Sequence, residues 1–435
     1  MVVKEHISVE EVADLLKKII RVRSVGRDET KVAEIIIEVL EREGIETYRL
    51  IESARGRGNL IIDINGKRGE GYNLMIVGHS DVVPVEGKWS VDPWGGVERN
   101  GYIYGRGAID DKGQVAAMVY LAILLHRLNN DFRGKVRLLI AADEEIQDPN
   151  HGVRFLVRNH PEIFKDIDGA IGELGGKIVF MGEEKQLVIF GEKGALSLKV
   201  RIYGDRGHAS NVYGVKNAVE GLARLLTRLP KEKFFISKPV KEMFSNLMGL
   251  KKIFLTNRLL NKISIALMKR KDLRTTRMLH AITHITIAKT VLRAGQAENV
   301  YPEYAEAILD IRYFPENYEK QLLDFVRKHI PSSYKYELTT LRNTPSTYSS
   351  LSTRLYATIE KTIHDLGLKP LPLIQTGTSD SAWIRKLGIP VYNFMYTEQP
   401  LEVERIHGND ERIRKEELIN IIEGYYRLIM NLQRL

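Results

Sequence analysis

The sequence predicts an α/β protein in two parts: a layered α/β domain and, inserted into it, a smaller α+β domain with the ferredoxin-like order of elements. Three observations predict this. Apolar runs of strand length alternate with helical patterns up to about residue 193 and again from about residue 346. Between them the order changes to strand, helix, strand, strand, helix, strand. The length of 435 residues also exceeds what one ordinary core holds. The expected boundaries are 1–193 and 346–435 for the layered domain and 194–345 for the insert.

The elements follow from local pattern. Ser8-Val-Glu-Glu11 is a capping box that opens an amphipathic helix to about Val22, and a second helix, Asp28 to Glu43, stops at Gly44. Leu60–Ile64 and Leu74–Val77 are strands, the latter fully apolar and so buried on both faces. The alternation continues through the helix Val115–Leu128, the strand Val136–Ala142, the helix Val153–His160 and the strand Gly169–Gly172. In the insert, Ala195–Tyr203, His284–Leu292, Tyr304–Arg312 and Tyr334–Leu341 are strands, and Val215–Leu229 and Tyr318–His329 are helices. The α/β pattern then resumes with a helix to Leu366, a strand near Leu371, a helix Ser381–Leu387, a strand Val391–Met395 and a last helix, Lys415–Leu432. One stretch, Lys231 to Ala281, resists this reading. Phe244, Leu247, Met248, Ile253, Phe254, Leu259, Leu260, Ile263 and Leu267 recur there at helical spacing among lysines and arginines. A basic amphipathic helix can lie on a membrane, but packing on the lid or on a second subunit is the preferred expectation.

Composition narrows the class. With 43% hydrophobic and 28% charged residues the chain is globular, and no apolar run reaches the roughly 18–20 residues that span a bilayer. The start, Met1-Val-Val-Lys-Glu-His, places a charge where a secretion signal has its apolar segment. The absence of cysteine rules out disulfides and leaves His, Asp and Glu as metal ligands; a cytoplasmic location is expected. The formal charge of +9 comes from basic residues interleaved with 56 acidic ones, so neither a nucleic acid nor a membrane is expected as a partner.

The chemistry lies at strand ends. Asn73–Val77 runs into Gly78-His79-Ser80-Asp81, Val136–Ala142 into Asp143-Glu144-Glu145, and Gly169–Gly172 into Glu173. Between the first two, Tyr104-Gly-Arg-Gly-Ala-Ile-Asp110-Asp-Lys-Gly113 is a glycine-bent loop that can bring a carboxylate close to other groups. The following helix presents its amino end to that anionic cluster. His79 is a neutral imidazole donor; Asp81, two residues on and on the same strand face, can fix its tautomer. Asp110 has two oxygens and can bridge two cations. Glu144 and Glu145 face opposite ways if the strand continues, so one can ligate while the other faces a substrate. His407 lies on a loop, Ile406–Glu411, before the last helix. Singly these motifs are common, and together they point to a two-metal hydrolytic centre.

With these motifs the sequence resembles the M20 family of metallopeptidases, the group of carboxypeptidase G2, aminoacylase, acetylornithine deacetylase and succinyl-diaminopimelate desuccinylase. The resemblance covers nearly the whole chain. It rests on His79-Ser-Asp81, Trp89-Ser-Val-Asp-Pro-Trp94, Tyr104-Gly-Arg-Gly, Asp110-x-Lys-Gly, Asp143-Glu-Glu and Gly172-Glu173. It continues in Gly207-His208-Ala209, Asn299-Val-Tyr-Pro302, Asp310-Ile-Arg312, Gly377-Thr378-Ser-Asp380 and His407. The resemblance implies a catalytic domain carrying an inserted lid that forms a homodimer. It implies one metal on His79, Asp110 and Glu173 and a second on Asp110, Glu145 and His407. Glu144 is then the general base and acid, and Asp81 orients His79. His208 polarises the substrate carbonyl, and Asn299, Arg312, Gly377 and Thr378 hold the substrate, with Arg312 on its carboxylate. The implied cofactors are two divalent ions, zinc before cobalt or manganese. The implied reaction is hydrolysis of the C-terminal amide bond of N-acylated amino acids or short peptides; a deacylase of small N-acyl amino acids is the alternative. A non-catalytic binding protein on this scaffold would lack a ligand or the base, and every such position is filled. Leu174, where many members have proline, and Thr376, where glycine is common, depart from the family pattern.

Overall fold

A computed structural model describes residues 2–180, 182–270, 272–314 and 317–433. Its contacts divide the chain into two units, Met1–Phe190 with Ser349–Leu373 and Ser379–Leu435, and Gly191–Tyr348 with Ile374–Thr378.

In the first unit, Asn73–His79 lies parallel between Lys135–Ala141 and Gly169–Gly172, and Val391–Asn393 continues the parallel set beyond Gly169–Gly172. Gly58–Asn65 and Tyr48–Glu52 extend the sheet antiparallel on the other side. The central strands are apolar on both faces because helices cover both, as parallel strands require. Met75, Val77, Leu139 and Ala141 pack with Val153, Leu156 and Ile163 in one such core. The first long helix spans Val9–Ile20 with the capping box at Ser8 and Glu11 in place. The helix after the glycine-bent loop begins at Lys112, three residues before the apolar pattern does, and runs to Arg127. It is buried almost all round, which is why its sequence is apolar all round.

In the second unit, five antiparallel strands lie in the order Glu232–Phe234, His284–Ala294, Tyr304–Tyr313, Gly194–Tyr203, Tyr336–Thr344. Apart from the short first strand, this is the ferredoxin-like order. The helices Ala218–Arg228 and Glu319–His329 cover one face, where Leu222, Leu225, Leu322 and Val326 meet Leu196, Leu198, Leu309 and Ile311. The fold class expected from the sequence is the one observed.

The unreadable stretch is helical: Lys238–Met248, Ile253–Thr256, Arg258–Met268 and Leu273–Thr283. Phe244 and Leu255 are buried, whereas Leu259, Ile263 and Leu267 are 67%, 49% and 62% exposed. Among the described residues no helix is long and apolar enough to cross a membrane.

Candidate metal centre

Three adjacent parallel strands end on the same edge of the first unit's sheet, and each delivers acid or imidazole there, as ligand sites in such sheets commonly form. The strand Asn73–His79 ends on His79 itself; Lys135–Ala141 leads into Asp143, Glu144 and Glu145; Gly169–Gly172 leads into Glu173. The loop before the helix Lys112–Arg127 brings Asp110, and the loop after Val403–Arg405 brings His407. Asp143 beside the base candidate Glu144, Leu174 beside the ligand candidate Glu173, and the ligand candidate His407 have left-handed backbone with φ of 65°, 63° and 61°.

The five expected ligands converge. His79 Nε2 lies 3.0 Å from Asp110 Oδ1 and 3.4 Å from Glu173 Oε2. His407 Nε2 lies 3.3 Å from Asp110 Oδ2 and 3.0 Å from Glu145 Oε1. Two ligands of one tetrahedral zinc, each at about 2.0–2.1 Å, are roughly 3.3 Å apart, so these separations match the edges of coordination polyhedra. The two Asp110 oxygens are shared out, one to each imidazole. His79 is fully buried and His407 half exposed, so the His407 side is the open one.

The donor set fits cations. His79 Nδ1 donates to the Asp81 carbonyl at 3.0 Å and faces Asp81 Oδ1 at 3.3 Å. In the neutral ring that leaves the Nε2 lone pair against carboxylate oxygens of Asp110 and Glu173, acceptor against acceptor, a contact that a proton or a cation must bridge. Asp111 accepts from the backbone N–H of His79 at 3.2 Å, while its buried Oδ1 has no hydrogen-bond partner among the described residues. Burial, with the carboxylates of Glu145, Asp380 and Asp110, pushes Glu144 well above the ordinary range against the pull of His79. Burial and Glu144 do the same to Glu173, and burial raises Glu145. Burial also opposes ionisation of Asp110, but His407 and His79 outweigh it and hold that carboxyl low. Asp110 and Glu145 raise His407 to about 10. Carboxylates thus outnumber imidazoles in a dry pocket, the imbalance that divalent ions relieve.

Two expectations about local geometry are corrected. The strand stops at His79, so Asp81 reaches the ring from a loop and not from the same strand face. Its carboxylate then accepts the backbone N–H groups of Glu144 and Glu145, both at 3.0 Å. The strand before those glutamates stops at Ala141, so a turn at Asp143 separates their side chains, not strand alternation.

Several site residues escape sequence reasoning. Glu411 accepts from Ile109 N at 2.9 Å and Asp110 N at 3.1 Å, and pairs with Arg106 Nη1 at 2.6 Å; Arg106 Nη2 reaches the His407 carbonyl at 3.3 Å. This buried pair ties the Asp110 loop to the His407 loop. Gln114 Nε2 donates to Val77 O at 3.1 Å and its Oε1 accepts from Leu174 N at 3.2 Å. Proline at 174 would lack that N–H and could not adopt the positive φ, so the departure at Leu174 has its own local structure.

The second unit holds the remaining candidates. His208 pairs across a two-stranded ribbon with Val300, next to Asn299, whose carbonyl accepts from Ala209 N at 2.9 Å. Ser210 N donates to His208 Nδ1 at 3.2 Å, which assigns the proton to the exposed ring's Nε2. Arg312 is engaged by Asp310, Nε to Oδ1 at 2.6 Å and Nη2 to Oδ2 at 3.1 Å. Gly377 lies in a bend, and Thr378 just beyond it, after the strand Pro370–Gln375, with Gly377 exposed and open space where a Cβ would point.

The peptidase family M20/M25/M40 matches residues 75–431. An N-fatty-acyl-amino acid synthase/hydrolase, PM20D1, from Xenopus tropicalis is 29% identical over 380 residues, 84% of this chain and 74% of that protein. A succinyl-diaminopimelate desuccinylase from Methylobacterium radiotolerans is 31% identical over 235 residues, 52% of this chain and 58% of that protein. The crystal structure of an M20 family metallo-carboxypeptidase from Sulfolobus solfataricus superposes with a TM-score of 0.75 at 20% identity, over 98% of this chain and all of that one. With its motifs, its fold and this match over most of its length, the chain belongs to the M20/M25/M40 peptidase family and is a hydrolytic enzyme.

Proposed function

We propose that the chain is a two-metal hydrolase that releases the C-terminal amino acid from N-acylated amino acids or short peptides. The observation that carries this reading is Asp110, whose two oxygens lie 3.0 and 3.3 Å from different imidazoles. His79, Asp110 and Glu173 would hold one ion, and Asp110, Glu145 and His407 the other. Two divalent ions, zinc before cobalt or manganese on nitrogen and oxygen donors, would when bound supply Lewis acidity and acidify water near neutral pH.

The protein's own groups do the rest. Asp81 fixes the His79 ring and, through the two backbone N–H groups, the turn that carries Glu144 and Glu145. Glu144, its proton affinity raised by burial and neighbouring acids, takes a proton from water and returns it to the leaving amine. His208 offers Nε2–H to the substrate carbonyl, stabilising the developing oxyanion. Asn299, Gly377 and Thr378 line the substrate. Arg312 anchors its carboxylate, with Asp310 holding the guanidinium plane. The assembly is a homodimer through the lid, in the cytoplasm. A second reading, a deacylase of small acyl groups, draws on the desuccinylase relatives.

A screen of N-blocked dipeptides, N-fatty-acyl amino acids and acetyl- or succinyl-amino acids separates the two. Arg312→Ala tests the anchor that both require. Losing a charge-assisted contact is expected to cost about 30- to 1,000-fold in kcat/KM for free acids, and to abolish the preference for an acid over its amide. Equal cleavage of acid and amide by the wild type would remove the anchor.

A further inference from the structure

We propose that the second unit binds a further divalent transition-metal ion between Glu232, His280 and His284, where the ion fastens together the two ends of the helical insertion. The insertion leaves the sheet after the strand Glu232–Phe234 and returns at His284, where the strand His284–Ala294 begins. These strands pair antiparallel, Phe234 opposite His284 and Glu232 opposite Thr286, so the two ends lie side by side at the sheet's edge.

The helix Leu273–Thr283 brings the chain back, with His280 in its last turn and His284 just past its end. Residues four apart share a helical face, and here the two rings stack with centroids 4.1 Å apart and planes 11° from parallel. Glu232 Oε2 lies 3.1 Å from His280 Nε2. His284 Nδ1 donates to the His280 carbonyl at 2.9 Å, which leaves Nε2 as the basic nitrogen, the usual way a ligand imidazole is oriented. One donor atom from each of the three residues lies within 4.8 Å of the others.

The backbone beneath is held in place. Lys193 Nζ donates to Ala281 O at 2.8 Å and His284 O at 2.6 Å, and the Phe234 ring meets His284 edge-on at 5.4 Å. An ion pair between Glu232 and His280 explains one contact but not the second imidazole, stacked and with its tautomer fixed. Two imidazoles and a carboxylate suit zinc, cobalt, nickel or copper and disfavour magnesium and calcium. Closing a long loop by such a clip is where a cross-link restrains the chain most.

The test uses full-length protein, stripped with chelator and dialysed to equilibrium against Zn2+. Wild type, His280→Gln and Glu232→Gln are compared by elemental analysis, by hydrolysis rate and by trypsin cleavage in the lysine- and arginine-rich stretch 251–270. Wild type is expected to hold one more zinc per chain than either variant, with hydrolysis unchanged in both. At ten times the dissociation constant, Zn2+ should slow cleavage of that stretch about 10-fold in wild type and not in the variants, and Mg2+ should have no effect. Because the result is a difference between proteins that share the Asp110 centre, it holds whatever that centre binds. Equal zinc in all three proteins, or zinc protection that survives both substitutions, overturns the proposal.

Discussion

Glu144→Gln is expected to lower kcat by about 10²- to 10⁴-fold, the range that one positioned acid–base group contributes, while leaving the metal content unchanged. Glutamine keeps the shape and loses the ability to take a proton. The backbone N–H of Glu144, which holds Asp81 at 3.0 Å, is untouched, so His79 keeps its orientation. Burial and the carboxylates of Glu145, Asp380 and Asp110 disfavour the charge at this position, so removing it should not lower the thermal midpoint. Glu145→Gln, by contrast, removes the oxygen 3.0 Å from His407 Nε2 and should cost metal as well as rate. Elemental analysis beside steady-state kinetics checks both. Near-normal turnover of Glu144→Gln at full metal occupancy would take Glu144 out of the mechanism.

Asp110→Asn should do more damage than any other single substitution in the centre, because one side chain serves both ions. Asparagine has one oxygen for two positions, and its NH2 group would face either His79 or His407. Losing a partner outside the ligand set costs 10–100-fold in metal affinity, so losing the bridge should cost more than about 100-fold for each ion. Activity should fall to background at metal concentrations that saturate the wild type. Titration of the stripped variant with Zn2+ measures this. Two ions bound with wild-type affinity would show that Asp110 does not bridge.

The parts of the centre legible in the sequence are those set by strand ends. His79, Glu145 and Glu173 follow apolar runs whose burial fixes the strands, and the strands' parallel pairing puts all three on one edge. Asp110 was legible through its glycines, but Asp111 beside it was not: nothing in two adjacent aspartates says which faces the imidazole and which accepts the backbone N–H of His79. Glu411 was hidden for a different reason. Its role is to accept N–H groups some 300 positions away, and no local pattern encodes that. The edge strand Val97–Arg99 escaped because so short a segment carries little alternation. Glu183–Glu192, paired on both sides within its sheet, escaped because it opens polar and continues in an unbroken apolar run instead of alternating. In the insertion, periodicity identified helices, but which face stays exposed depends on neighbours that the sequence does not name. Leu259, Ile263 and Leu267 show this.

The most direct measurement is anomalous X-ray scattering at the zinc edge from crystals of the zinc-loaded protein. The expected result is two peaks about 3.5–4 Å apart on either side of the Asp110 carboxylate, one against His79 and Glu173, the other against His407 and Glu145. A single peak there, or two that Asp110 does not lie between, would contradict the two-metal centre.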